Sequence, residues 1–147
     1  MSPTRKELTL WLATKEVKGY TLDIGGDVWS MKERVKSFEG EYETLNESIW
    51  DLNKEHWIDE IGGYDNIFCT EVLQFVYDPV MALRNIHQWS DLGKVFLSFH
   101  LTHPPMKSHD YLRYTEKGIR KLLEVTEFTI DEFLEPLPGY FLVQCSA

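Results

Sequence analysis

Cysteine is nearly absent: Cys69 and Cys145 are the only two in 147 residues. Both stand inside apolar runs, so neither a disulfide framework nor a Cys-x-x-Cys metal pair can be built. Two buried free thiols in a reducing compartment are expected. Basic charge is also short, with 15 Lys and Arg against 24 Asp and Glu and a net charge of −9. Grip on nucleic acid rests on a Lys/Arg surplus that releases counterions, so a nucleic-acid partner is disfavoured. The local group Arg113, Lys117, Arg120 and Lys121 reads either as a small basic patch or, more simply, as a solvated helix face. No apolar run approaches the roughly 20 residues that span a bilayer, which argues against a membrane partner. The opening MSPTRKELTLWLATKEVK lacks the continuous apolar core of a signal peptide. A soluble, cytoplasmic protein is the expectation. No repeat, low-complexity tract or Pro/Ser-rich linker divides the chain, so residues 1–147 read as one domain.

What is present is apolar material for a core, 43% of residues with 14% aromatic. Apolar spacing predicts a helix over 4–18 that Gly19 stops, then a short strand, Tyr20–Ile24, running into Gly25-Gly26-Asp27. Helical spacing resumes over Val28–Phe38, Tyr42–Leu45 reads as extended, residues 49–52 as another extended piece, and Asn53–Ile61 as helical. Tyr64–Cys69 is a buried strand, Pro79 opens a helix that Gly93 stops, and Lys94–Phe99 is the most strand-like stretch. Thr115 is placed to cap a last helix, and Phe128–Leu134 and Tyr140–Cys145 form an antiparallel pair across a short Pro/Gly link. Strands alternating with helices, closed by a hairpin, predict an α/β three-layer sandwich with a mostly parallel sheet.

The segment Tyr20-Thr-Leu-Asp-Ile-Gly-Gly-Asp27 turns a strand directly into a helix through glycines, which lets a ligand approach backbone and helix N–H groups. A Gly-Gly turn also arises for steric reasons alone, so this segment does not decide by itself. The second half adds Tyr64-Asp-Asn-Ile-Phe-Cys-Thr-Glu-Val-Leu-Gln-Phe-Val-Tyr-Asp-Pro79, then Ala82-Leu83, Leu92-Gly93, His109-Asp110-Tyr111-Leu112-Arg113-Tyr114-Thr115 and Gly118-Ile-Arg-Lys-Leu-Leu123. In order and spacing, residues 20 to 134 resemble the class I S-adenosylmethionine-dependent methyltransferases of small-molecule type. The resemblance implies a Rossmann-like sheet, S-adenosylmethionine as cofactor, and methyl transfer to an unidentified, small-molecule acceptor. It also implies that Asp23, Gly25 and Gly26 line the methionine end, that Asn46 stands where a carboxylate usually holds the ribose, and that Asp51 and Leu52 meet the adenine. Thr70 and Glu71 fall where the family's backbone faces the methionine.

Three departures from the family pattern stand out. Asp27 replaces a further glycine, Gln74-Phe75 replaces a frequent Glu-His pair, and only Glu47 and Ser48 separate the second and third strand candidates. A parallel crossover needs a dozen or more residues, so one of those two segments is expected to be an irregular pocket wall, in a fold reduced around its second and third strands. The loop from His100 to Asp110 borders the acceptor side. His103 and His109 are its candidate catalytic residues, as bases for a hydroxyl or amine. A loop-building role competes for His109 with Asp110, and Arg113 is placed either to bind an anionic acceptor or to pair with Asp110. A metal set from His100, His103 and His109 lacks an acidic or Cys partner, so no metal is expected. Trp29, Trp50, Trp57 and Trp89 read as core or interface residues rather than a stacking platform. The alternative function keeps the fold without the reaction, as a binding or assembly module, with a homodimer as one form of it.

Overall fold

In the computed structural model, which describes residues 1–26, 30–46, 51–56, 62–105 and 110–147, helix α1 (Pro3–Leu12) begins where the Ser2 hydroxyl accepts from the Arg5 amide. The chain continues through β1 (Glu16–Lys18), β2 (Thr21–Ile24), a 3-10 turn at Met31–Glu33, β3 (Ser37–Glu39), β4 (Tyr42–Leu45) and β5 (Tyr64–Cys69). A second 3-10 turn at Leu73–Phe75 leads to α2 (Pro79–Trp89), β6 (Ser90–His100), α3 (Glu116–Val125) and the hairpin β7 (Thr129–Leu137) and β8 (Tyr140–Ser146). Asp78 caps α2 by accepting from the Met81 amide, and Thr115 caps α3 by accepting from that of Gly118, as its position predicted. No helix among the described residues is long and apolar enough to cross a membrane.

The main sheet has the order β4-β2-β5-β6-β8-β7. β4, β2, β5 and β6 run parallel, and β8 lies antiparallel between β6 and β7. Alternation along the strands sends Leu22, Ile67, Leu97 and Val143 to one face, where Leu83, Ile86 and Trp89 of α2 and Ile119 and Leu123 of α3 cover them. Phe68, Phe96 and Leu142 point to the other face, against Leu8, Trp11 and Leu12 of α1. The expected α/β sandwich, with its C-terminal antiparallel hairpin, is what forms.

Local expectations fail where pairing outcompetes periodicity. The helix predicted over 4–18 ends at Leu12, because the Lys15 carbonyl accepts from the Lys36 amide and Glu16–Lys18 pairs in parallel with Ser37–Glu39. That same pairing removes the end of the helix predicted over Val28–Phe38, leaving one 3-10 turn at Met31–Glu33, while 27–29 lie outside the described residues. Gly93 stops no helix: α2 yields at Ser90, and Gly93 sits within β6, where a Cβ would approach the Asp65 carbonyl oxygen to 2.1 Å.

The segments on which the expected reduction beyond β4 turns, 47–50 and residues 57–61 of the helix predicted over Asn53–Ile61, lie outside the described residues. Asp51–His56 is turn and bend rather than strand or helix, and among the described residues β4 ends the sheet. Two amides hold this segment in place. Buried Asn85 of α2 donates to the carbonyls of Leu52 (3.0 Å) and Lys54 (2.7 Å) and accepts from the His56 amide (3.1 Å). Asn53 accepts from the amides of Tyr77 and Asp78, both at 2.9 Å. Asn85→Ala strands three backbone groups, so a loss of about 2 kcal/mol is expected in urea unfolding. Faster hydrogen exchange at the His56 amide should accompany it.

Candidate cofactor site

The chain places β4 on one side of β2 and then β5 and β6 on the other, so the sheet reverses its direction of growth between β2 and β5. In open α/β sheets, ligands settle outside the carboxyl ends of the strands at such a reversal. At that reversal stand Gly25 and Gly26 just after β2, with Asp23 inside the strand, and Thr70 and Glu71 just after β5.

Asp23, the third residue of β2, turns its side chain to the face that carries α1, and it is 1% exposed. Its carboxylate accepts from the Met31 amide at 3.0 Å and from the Tyr42 hydroxyl, tying the chain that leaves the glycine turn back onto the strand. Burial first, and then the bond to Asp23, hold the Tyr42 hydroxyl pKa far above its usual range, so Tyr42 remains the donor. Gly25 takes φ +79°, a conformation open chiefly to glycine, and its amide donates to the Leu45 carbonyl. Gly26 lies directly on Asp23: a Cβ there would meet the carboxylate oxygen at 2.3 Å. The second glycine is therefore required by a carboxylate three residues earlier.

After β5 the backbone bends sharply. Glu71 adopts φ +61°, unusual for a residue with a side chain, and its amide donates to the Ser98 hydroxyl at 2.7 Å. Its carboxylate reaches His100 Nε2 and accepts from the Tyr140 hydroxyl, each at 2.5 Å. Backbone strain of this kind concentrates at functional sites. Burial alone would raise the Glu71 pKa, but the hydrogen bond and charge of His100, with the bond from Tyr140, outweigh it and bring the pKa below the usual carboxylate value. Burial, then the charge and bond of Glu71, push the Tyr140 pKa strongly upward.

A lowered folded-state pKa means that the native fold favours the carboxylate over the acid. The stability that follows is complete above the unfolded value of about 4.3 and is lost as pH falls through the folded one. Glu132 acts in the same sense: burial raises its pKa, and the bonds from Lys15 and Trp11 outweigh that. Acid unfolding of the parent should therefore steepen below about pH 4.3. Glu71→Gln should make the decline shallower, as followed by urea midpoints from pH 6 to 3.

The remaining predicted residues are more dispersed. Asn46 follows β4 directly and is half-buried. Asp51 accepts from the Asn53 amide at 2.9 Å, closing its own turn, and Leu52 packs into the core with Ile24, Leu45 and Leu73. Thr70 is buried with its hydroxyl 3.6 Å from the Met31 sulfur, which joins the two sides of the crevice. His103 contacts the Pro104 carbonyl through Nδ1, and its own carbonyl accepts from Arg113, which is paired with Asp110 at 2.5 Å. His109, with Trp29, Trp50 and Trp57, lies outside the described residues, whereas Trp89 is core. Sequence reading weighed His100 only within its loop and missed Ser98, Tyr42 and Tyr140. Alternation along Lys94–His100 would have placed Ser98 and His100 on one face, but only the strand register sets Tyr140 opposite His100.

No family model and no curated protein sequence matches the chain. Solved structures do, and the fold they share with it is that of class I S-adenosylmethionine-dependent methyltransferases. An S-adenosylmethionine dependent methyltransferase from Mesorhizobium loti aligns with TM-score 0.67 at 16% identity, over 99% of each chain. The mitomycin 7-O-methyltransferase MmcR aligns with TM-score 0.67 at 14% identity over 96% of this chain, which spans only 53% of that enzyme. Magnesium protoporphyrin IX methyltransferase (ChlM) from Synechocystis PCC 6803, with bound SAH, aligns with TM-score 0.62 at 15% identity over 97% of this chain and 81% of its own.

Proposed function

We propose that the chain binds S-adenosylmethionine at the carboxyl ends of β2 and β5 and passes its methyl group to a small-molecule acceptor carrying a hydroxyl or amine. The observation that carries this reading is the glycine turn seated on Asp23 at the point where the parallel sheet reverses its growth. The cofactor supplies an electrophilic methyl group on sulfur. The protein supplies position: Gly25 and Gly26 keep side chains out of the crevice, Thr70 and Glu71 wall it on the β5 side, and Asn46 stands beside it after β4. Asn46 offers the ribose an uncharged acceptor, a weaker bond than a carboxylate gives. Holding two reactants in line removes most of the entropic barrier of such a displacement.

Two features favour a second reading, a non-catalytic binding module. The Asp23 carboxylate is already engaged by Met31 and Tyr42, and among the described residues the sheet ends at β4, which leaves less wall for an adenosine. Photo-crosslinking with radiolabelled S-adenosylmethionine, followed by peptide mapping, tests the site. Label within 20–26 or 64–76, competed by S-adenosylhomocysteine, supports it. Label spread over the chain, or insensitive to competitor, contradicts it.

A further inference from the structure

Tyr42 opens β4 and sends its hydroxyl across the sheet to Asp23 in β2. Asp23 Oδ2 accepts from that hydroxyl and from the Met31 amide, so both lone pairs of this oxygen are in use. The two donors differ in their freedom. The Met31 amide belongs to the backbone of a 3-10 turn whose Met31 side chain is buried. The Tyr42 ring is only half-buried. It meets Phe38 edge-on, with centroids 5.8 Å apart, and the Lys32 ammonium stands 5.9 Å from its centre. Rotation about the side-chain bonds of Tyr42 releases the hydroxyl without moving the strand. The same hydroxyl accepts from that of Ser30 at 3.1 Å, which places it between β2 and the chain that leaves the glycine turn. It therefore lies on the β2 side of the cofactor crevice.

Resting on the cofactor reading above, we infer that Tyr42 is a positioning residue whose hydroxyl holds, on Asp23, the place that the amino group of S-adenosylmethionine takes. The methionine end of that cofactor carries an ammonium, a charged donor, and a buried carboxylate is the acceptor that suits it. Oδ2 has no third lone pair to offer. The ammonium therefore replaces the hydroxyl, and Tyr42 turns outward as it arrives. A charged donor succeeds a neutral one, which is favourable, but the bond given up is subtracted from the affinity. Tyr42 thus sets how tightly the amino-acid end of the ligand is held and leaves the adenosine end untouched. The engagement of Asp23 by its own chain is then the closed state of the cofactor site rather than the loss of that site.

The test titrates the whole chain with three ligands: S-adenosylmethionine, S-adenosylhomocysteine and 5′-methylthioadenosine, which has the adenosine and the sulfur but no amino-acid end. Tyr42→Phe keeps the ring and removes the hydroxyl. It should tighten the first two ligands at least about tenfold and change the third less than about threefold. Its melting temperature without ligand should fall, because Asp23 loses a buried donor, while the rise produced by saturating S-adenosylhomocysteine should grow. A hydroxyl that merely braced the fold would lower the melting temperature with no gain in affinity. Ser30→Ala removes a bond that holds the hydroxyl in place, so it should give the same selective gain at about threefold. It carries the comparison should Tyr42→Phe fail to fold. A parent too weak to titrate, beside a Tyr42→Phe variant that binds S-adenosylmethionine, supports the exchange. Unchanged or weaker S-adenosylmethionine binding in the folded variants, or an equal gain for all three ligands, would overturn the exchange alone. Binding of none of the three by parent or variants would overturn the cofactor reading and the exchange with it.

Discussion

Gly26→Ala is expected to weaken S-adenosylmethionine binding at least about a hundredfold, roughly 2.7 kcal/mol. The new Cβ would lie 2.3 Å from one Asp23 carboxylate oxygen and 2.4 Å from the carboxylate carbon, closer than atoms pack. Asp23 cannot simply swing aside, because the same carboxylate holds the Met31 amide and the Tyr42 hydroxyl in a fully buried position. Freeing it leaves those donors unpaired, at roughly 1–3 kcal/mol each, unless the whole turn after β2 moves. Either response reshapes the crevice while leaving both cores in place, so the variant should keep its circular dichroism and lose its ligand. Affinity within about threefold of the parent, in a folded variant, would separate this turn from the site.

Trp89→Ala carries the largest expected stability effect. Trp89 is the last residue of α2 and fully buried, and it packs in the core formed between the sheet and helices α2 and α3. Removing the indole from such a position costs about 3–5 kcal/mol, a large share of the 5–15 kcal/mol that holds most domains. The melting temperature should fall by roughly 10 °C or more. Trp89 Nε1 is buried without a partner among the described residues, so Trp89→Phe removes an unsatisfied donor along with part of the ring. That change should cost less than about 1.5 kcal/mol. Urea unfolding of the two variants separates packing from polar terms, and a Phe variant as damaged as the Ala variant would contradict this account.

Elements defined by their own periodicity and punctuation could be read directly from residue order. Pro79 after the Asp78 cap, the Thr115 cap, the apolar run Tyr64–Cys69 and the Pro/Gly-linked terminal hairpin all form where local rules put them. The short link at Glu47-Ser48 forbids an ordinary parallel crossover, and among the described residues the sheet ends at β4. What residue order concealed was decided by long-range partners. Glu16–Lys18 has helical neighbours but becomes strand because Ser37–Glu39 lies beside it. Gly93 reads as a helix stop but is needed where β6 passes the Asp65 carbonyl.

The same division runs through the site. That Gly25, Gly26, Thr70 and Glu71 follow strand ends was legible, because strand ends follow from apolar runs. The reason for Gly26 was not, since it is the side chain of Asp23 folded back over the turn. Leu52 belongs to the core because Asn85 draws its backbone toward α2, a contact across 33 residues. The Glu71–His100–Tyr140 group joins three segments, with Glu71 and Tyr140 separated by 69 residues, a span no local pattern crosses.

The account rests on a cofactor crevice at the reversal of the parallel sheet, and isothermal titration of the whole chain with S-adenosylmethionine tests it most directly. One site per chain is expected, with a dissociation constant on the order of micromolar, competed by S-adenosylhomocysteine and removed by Gly26→Ala. No heat and no competition at ligand concentrations up to about 1 mM, in protein shown to be folded, would contradict it.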